Sequence, residues 1–151
     1  PAYQTLLTAD IPTLPLPHDA GTLRVIAGQY GQTTGPAHVF SPLNVWDVQL
    51  EQGAQITLSL PDGHNAAIVS LEGRLNVNDS QELGSAQLVL LNHEGTEVTV
   101  QAQVQSSFLV LTGAPLNEPI EGYGPFVMNT RAQIRQAMED FSNGLFGGIP
   151  T

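Results

Sequence analysis

Four histidines, His18, His38, His64 and His93, and fourteen carboxylates are the side chains of this chain suited to metal or acid–base chemistry. No histidine stands in an HxH or HExxH pair, so a metal site would need the fold to gather imidazoles from separate loops. His38, just after Pro36 at an expected strand start, and His64, just past the turn Pro61-Asp62-Gly63, are the pair a barrel rim could bring together. Glu97 follows just after the turn that carries His93 and Glu94. His93 and Glu94 pair an imidazole with an acid, but in a turn they read more simply as a polar hairpin tip. Asp47, beside Trp46, falls on the face opposite the tryptophan and reads as a solvent-facing acid. Glu118 and Glu121 flank Ile120 in a loop rich in proline and glycine. Paired acids there suggest an active-site loop, although carboxylates in such loops more often meet water or local amides.

Several chemistries find no support. No serine sits in a GxSxG elbow and no glycine loop precedes a lysine, so Gly28, Gly31 and Gly35 read as turn glycines rather than a phosphate cradle. The absence of cysteine rules out disulfides, thiolate metal sites and a cysteine nucleophile. It is compatible with a reducing, cytoplasmic location. The net charge is −10, lysine is absent, and the only cations are Arg24, Arg74, Arg131 and Arg135. Such a surface repels phosphate backbones and anionic lipids, so no direct nucleic-acid or membrane partner is expected. No apolar run reaches bilayer length, and PAYQTLLTADIP lacks the basic start and apolar stretch of a secretion signal.

The elements that must position these residues are mostly strands. With 151 residues, 41% of them hydrophobic, one domain with a sizeable core is the default. Residues 1–21 alternate Pro12, Pro15 and Pro17 with Ile11, Leu14 and Leu16, which predicts an extended interdomain arm pinned along a surface. Residues 22–113 read as about nine short strands with glycine and acidic turns. Strands are expected at TLRVIAG (22–28), AHVF (37–40), NVWDVQL (44–50), AQITLSL (54–60), NAAIVSLEG (65–73), RLNVND (74–79), 87–91, 97–100 and SSFLVLTG (106–113). Trp46, Val48 and Leu50 should face the core. No helix intervenes, which argues for an antiparallel sandwich or barrel.

Residues 114–151 are expected to belong to the same domain. Pro115, Pro119 and Pro125 with Gly113, Gly122 and Gly124 should keep any regular ladder out of the crossing from Leu111 to Thr130. Thr130 with Gln133 forms a capping box, and Ile134, Ala137, Met138 and Phe141 recur at helical spacing. That predicts a helix over 131–142, packed on the sheet. The tail LFGGIP (145–150) is apolar enough to dock against the body or a neighbour.

The blocks GPAHVFSPLNVWDVQL (35–50), GHNAAIVSLEG (63–73) and APLNEPIEGYGPFVMNTRAQIRQAMEDFSNGLFG (114–147) resemble the C-terminal half of pirin family proteins, two-domain members of the cupin superfamily. The resemblance implies an all-β fold, a cupin-type antiparallel β-barrel or jelly roll with one C-terminal α-helix. It also implies a chain of about twice this length, in which the N-terminal barrel holds iron or another divalent transition metal through an HxH pair and a later HxE pair. Aligned on Gly73, the places of the HxH pair hold Ser59 and Pro61; aligned on Gly84, the HxE places hold Glu97 and Thr99. Ser59 and Pro61 cannot replace imidazoles, and one carboxylate does not make a facial triad. No cofactor and no catalytic residue is therefore expected in this chain, with His38, His64 and Glu97 as the remaining metal candidates.

Family members are linked to cleavage of flavonols such as quercetin by metal-dependent dioxygenation and to partnership with transcription factors and other proteins. The expected role is a non-catalytic cupin-like domain that supports an N-terminal metal-binding cupin and mediates domain or subunit contacts. The implied partners are that N-terminal domain or a second copy of this chain. The alternatives are part of a quercetin 2,3-dioxygenase, or a barrel that binds a small ligand without metal.

Overall fold

The computed structural model describes residues 4–147, which fall into two compact units, one of Gln4–Pro115 and one built from residue 116 onward. The first unit carries β1 (Thr13–Pro15), β2 (Gly21–Ala27), β3 (Gln29–Tyr30), β4 (Thr33–Thr34), β5 (Leu43–Leu50) and β6 (Gln55–Ser59). It continues with β7 (Asn65–Glu72), β8 (Leu75–Val77), β9 (Gln81–Leu83), β10 (Gln87–Leu90), β11 (Glu97–Ala102) and β12 (Ser106–Gly113). Six strands form one sheet in the order β1-β2-β5-β12-β7-β10, four form a second in the order β6-β11-β8-β9, and β3–β4 is a separate hairpin. All these ladders are antiparallel.

The two-residue period written in the sequence decides what lies inside. Trp46, Val48 and Leu50 of β5 are buried as expected, beside Leu23 and Val25 of β2, Ile68 of β7, and Phe108 and Val110 of β12. From the four-stranded sheet, Leu58, Val98, Val100, Leu75 and Val77 enter the same cluster. One core thus joins the two sheets, each of these side chains contributing about 1.5–3 kcal/mol by leaving water. The arrangement is cupin-like: antiparallel sheets in the first unit, with one helix after them.

Two expectations need correction. AHVF (37–40) is not a strand. The β2–β5 register shifts between Val25 and Ala27, and the Ile26 carbonyl accepts from the Ala37 amide at 3.1 Å. Ala37 makes only an isolated bridge to Ala27, and Phe40 is fully exposed. Between Pro36 and Pro42 there is too little chain with free donors to pair again. The proline-rich arm in turn supplies an edge strand, since β1 pairs with β2 and ends at Pro15, where a missing amide costs no ladder bond. Leu16 and Ala20 then enter the core.

The second unit overturns the other expectation, because a ladder does form in the crossing. β13 (Glu121–Tyr123) pairs with β14 (Phe126–Met128) in a hairpin whose two-residue turn is Gly124-Pro125. Gly124 adopts φ +56, which the turn requires and glycine supplies without strain. All three prolines stay out of the strands, so the ladder loses no donor. α1 (Arg131–Ser142) follows with the predicted cap: the Gln133 amide donates to Thr130 Oγ1 at 3.3 Å and the Thr130 amide to Gln133 Oε1 at 3.0 Å. Ile134 and Ala137 are its buried residues, and its neighbours within the unit are β13 and β14. Phe126, Phe141 and Phe146 form an aromatic cluster with centroids 6.0–6.3 Å apart, Phe141 meeting both others edge-on. Residues 148–150 of the LFGGIP tail, like residues 1–3 of the arm, lie outside the described residues.

Candidate functional site

The places where the resemblance put metal ligands do converge, but on the wrong side of the sheet for an interior ion. In the β6–β11 ladder Ser59 stands opposite Glu97 and Thr57 opposite Thr99. Thr57 and Thr99 share a hydroxyl–hydroxyl hydrogen bond of 3.1 Å on the exposed face. Alternation assigns the core face to Leu58, Leu60, Val98 and Val100, which offer only hydrocarbon. Pro61, just past β6, is exposed.

The histidines are scattered much as their spacing suggested. His38 is exposed, and only its backbone amide is tied down, donating to Gln4 Oε1 at 2.8 Å. His64 is half-buried, with Nδ1 out of water and without a hydrogen-bond partner. It lines a polar cavity of about 130 Å³ with Asn78, Asn92, Glu94 and Glu97. The fold thus brings His64 and Glu97 to one cavity, and His38 is not among the residues lining it. Ala37 and Val39, its neighbours, do line a wider cleft with His64. Among the described residues, no group of three or more His, Asp or Glu is placed so that it could hold a metal ion. His18, in the short 3-10 turn Pro17–Asp19, and His93, in a loop, are exposed.

The paired acids of the proline- and glycine-rich loop have local partners. Glu118 accepts from Asn129 Nδ2 at 2.8 Å, and Glu121 lies 3.6 Å from Arg131. Asp47 stands opposite Arg24 across β2–β5 and pairs with it at 3.4 Å, half-buried rather than fully solvent-facing.

The better-formed site lies beside the open edge of β6. A cleft of about 540 Å³ is bounded by the β3–β4 hairpin, by Asn44 and Trp46 of β5, and by Thr57, Ser59, Leu60 and Pro61. Tyr30 packs edge-on against Trp46, centroids 5.1 Å apart. Asn44 fixes this wall: its Oδ1 accepts from the Gln29 amide and its Nδ2 donates to Thr112 Oγ1, both at 2.9 Å. Trp46 is 2% exposed, and its indole N–H has no hydrogen-bond partner. A buried donor left so costs about 1–3 kcal/mol. Motif reasoning had passed over Asn44 and Tyr30. The available signal was that Asn44 continues the inward series of Trp46, Val48 and Leu50, where a polar side chain must find partners.

With this geometry in hand, comparison with known proteins is direct. Residues 45–147 match the model of the pirin C-terminal cupin domain. The chain belongs to the pirin family. This pirin C-terminal domain is 53% identical, over 97% of its length, to a Pseudomonas aeruginosa protein named as a proposed quercetin 2,3-dioxygenase, and covers 51% of that protein. A similarly named Thermoplasma acidophilum protein is 33% identical over 97% of this chain and 58% of its own. Among solved structures, quercetin 2,3-dioxygenase from Acinetobacter baumannii superposes with a TM-score of 0.89 at 50% identity, covering 99% of this chain and 52% of that one. The pirin C-terminal domain thus spans about half the length of the curated relatives it matches. The inward positions of the β6–β11 ladder, Leu58, Leu60, Val98 and Val100, offer no side-chain ligand to a transition metal.

Proposed function

We propose that this chain is the non-catalytic half of a two-cupin protein: it supports an N-terminal cupin that holds iron or another divalent transition metal, and contributes domain or subunit contacts. The carrying observation is the ladder opposite Ser59 and Glu97, whose inward positions are Leu58, Leu60, Val98 and Val100. A non-haem site of the two-histidine, one-carboxylate type needs inward imidazoles that these positions cannot supply. The cleavage of quercetin named for its relatives then belongs to the whole protein, at its other half, in the cytoplasm of a cell. In the same reading the two sheets close on their shared core as a cupin-type barrel or jelly roll.

Metal analysis and an oxygen-uptake assay on the isolated chain test this. The purified chain is expected to hold no stoichiometric iron, manganese, nickel or copper and to leave quercetin unconsumed, whereas a two-cupin relative carrying this half holds metal and consumes quercetin. Stoichiometric metal in the isolated chain together with quercetin turnover would sink the reading.

The contact surface we assign is the outer face of the six-stranded sheet. Ladder registers place Leu90, Ala67, Leu111 and Val45 in one row, and Leu88, Val69 and Leu109 in the next. Leu88 and Leu90 are 53% and 75% exposed. Beside them a groove of about 500 Å³ is walled by Leu43, Val45, Ala67, Leu90 and Leu111. Contiguous apolar surface of this kind marks a contact with another protein surface.

A further inference from the structure

We infer that the cleft along the open edge of β6 is a binding site for a small, planar, uncharged heteroaromatic molecule bearing adjacent hydrogen-bond donor and acceptor atoms, such as a lactam. The inference is independent of any second domain.

It starts from the ladder. The Leu60 amide donates to the Thr96 carbonyl at 2.7 Å, and the Ala102 amide to the Ala54 carbonyl at 2.9 Å. In an antiparallel pair, opposite residues alternate between exchanging both backbone bonds and exchanging none. Ala54, Ile56, Leu58 and Leu60 are therefore bonded to β11, while the N–H and C=O groups of Thr57 and Ser59 point off the other side of the strand. That side is open, because β6 ends the four-stranded sheet. Among the described residues, no turn or loop backbone bond reaches Thr57 or Ser59. The open edge is thus a row of unpaired donors and acceptors at strand spacing, complementary to a ligand with a donor and an acceptor side by side.

The other walls define the rest of the ligand. Tyr30, backed by the buried Trp46, presents aromatic surface, and Leu60 and Pro61 apolar surface, so a flat ring system is favoured. No Asp, Glu, Lys, Arg or His lines the cleft, so nothing there compensates the desolvation of a charged ligand. Asn44 has its oxygen and nitrogen engaged by Gln29 and Thr112, so it holds the wall and leaves recognition to the strand edge. A volume of about 540 Å³ lies in the range of small-molecule sites and admits a fused bicycle.

The test is an amide-and-indole NMR titration of the intact chain with 2-quinolinone, an uncharged bicyclic lactam. N-methyl-2-quinolinone, which lacks the donor, and naphthalene, which lacks both polar atoms, serve as controls. Trp46 is the only tryptophan, so its indole N–H gives one assignable signal at the cleft wall. Saturable shifts confined to Gln29–Gly31, Trp46 and Thr57–Leu60 are expected, with both controls binding about tenfold or more weakly. Ser59→Pro removes the edge donor without touching a bond to β11, and should weaken the lactam by a similar factor. Tyr30→Ala, at a half-buried hairpin position, removes an aromatic wall and should weaken lactam and naphthalene alike. No shift up to the solubility limit, shifts centred elsewhere, or N-methyl-2-quinolinone binding as tightly as the lactam would each overturn the assignment. The wild-type comparison decides the matter even if Ser59→Pro fails to fold.

Discussion

Two buried polar side chains on the same sheet make opposite predictions. Ser70 is completely buried between Phe108 of β12 and Gln87 of β10, and its hydroxyl has no partner. An unsatisfied buried hydroxyl costs about 1–3 kcal/mol, so Ser70→Ala should leave stability unchanged or raise it by up to about 1 kcal/mol after the small cavity is counted. A clear drop in the urea midpoint would show that the hydroxyl has a partner after all. Asn44 is the reverse case, because both ends of its amide are used and the Gln29 amide would be orphaned by its loss. Asn44→Ala should cost about 2–3 kcal/mol in the same urea experiment. It should also loosen the β3–β4 hairpin, seen as faster amide exchange at Gln29. These outcomes differ because a buried polar atom is judged by its partners rather than by its burial.

At the scale of elements, the helix was legible because its stop and start are written in local chemistry. Thr130 and Gln133 cap each other by bonds that span only three residues, so no tertiary context was needed to foresee them. Thr130→Ala should lower the stability of the α1 unit by about 1 kcal/mol, read as lost helical ellipticity on warming, and Thr130→Ser should restore most of it. The long strands were legible for a similar reason, since Trp46, Val48 and Leu50 or Phe108 and Val110 repeat at two residues with nothing to dispute the period. The short pieces were not. AHVF has strand composition but lies between Pro36 and Pro42 and makes only one isolated bridge, and the β13–β14 hairpin hides among prolines that happen to fall outside its ladder. Register across strands was not legible in the sequence. Anchoring on Gly73 and Gly84 singled out Ser59, Pro61, Glu97 and Thr99, yet that Ser59 stands opposite Glu97, and on which side of the sheet, depends on the ladder and the core, which no local pattern states.

For the whole molecule, the question is what covers the apolar outer face of the six-stranded sheet when this half is expressed alone. The net charge of −10 disfavours close approach of two copies, and salt screens that repulsion at distances beyond about 8 Å. Apolar burial acts at contact and is little affected by salt. Leu88 and Leu90 lie on β10, an edge strand, with their side chains turned away from the core that Val89 enters. Charges placed there should therefore leave the fold within about 0.5 kcal/mol while removing the contact. We expect the isolated chain to dimerise at high protein concentration in physiological salt, and the double variant Leu88→Asp with Leu90→Asp to run as a monomer with an unchanged melting profile. Light scattering across a concentration series distinguishes the cases. A wild-type chain that stays monomeric throughout would mean that this face tolerates water without a partner, and the assigned contact surface would then have to be abandoned.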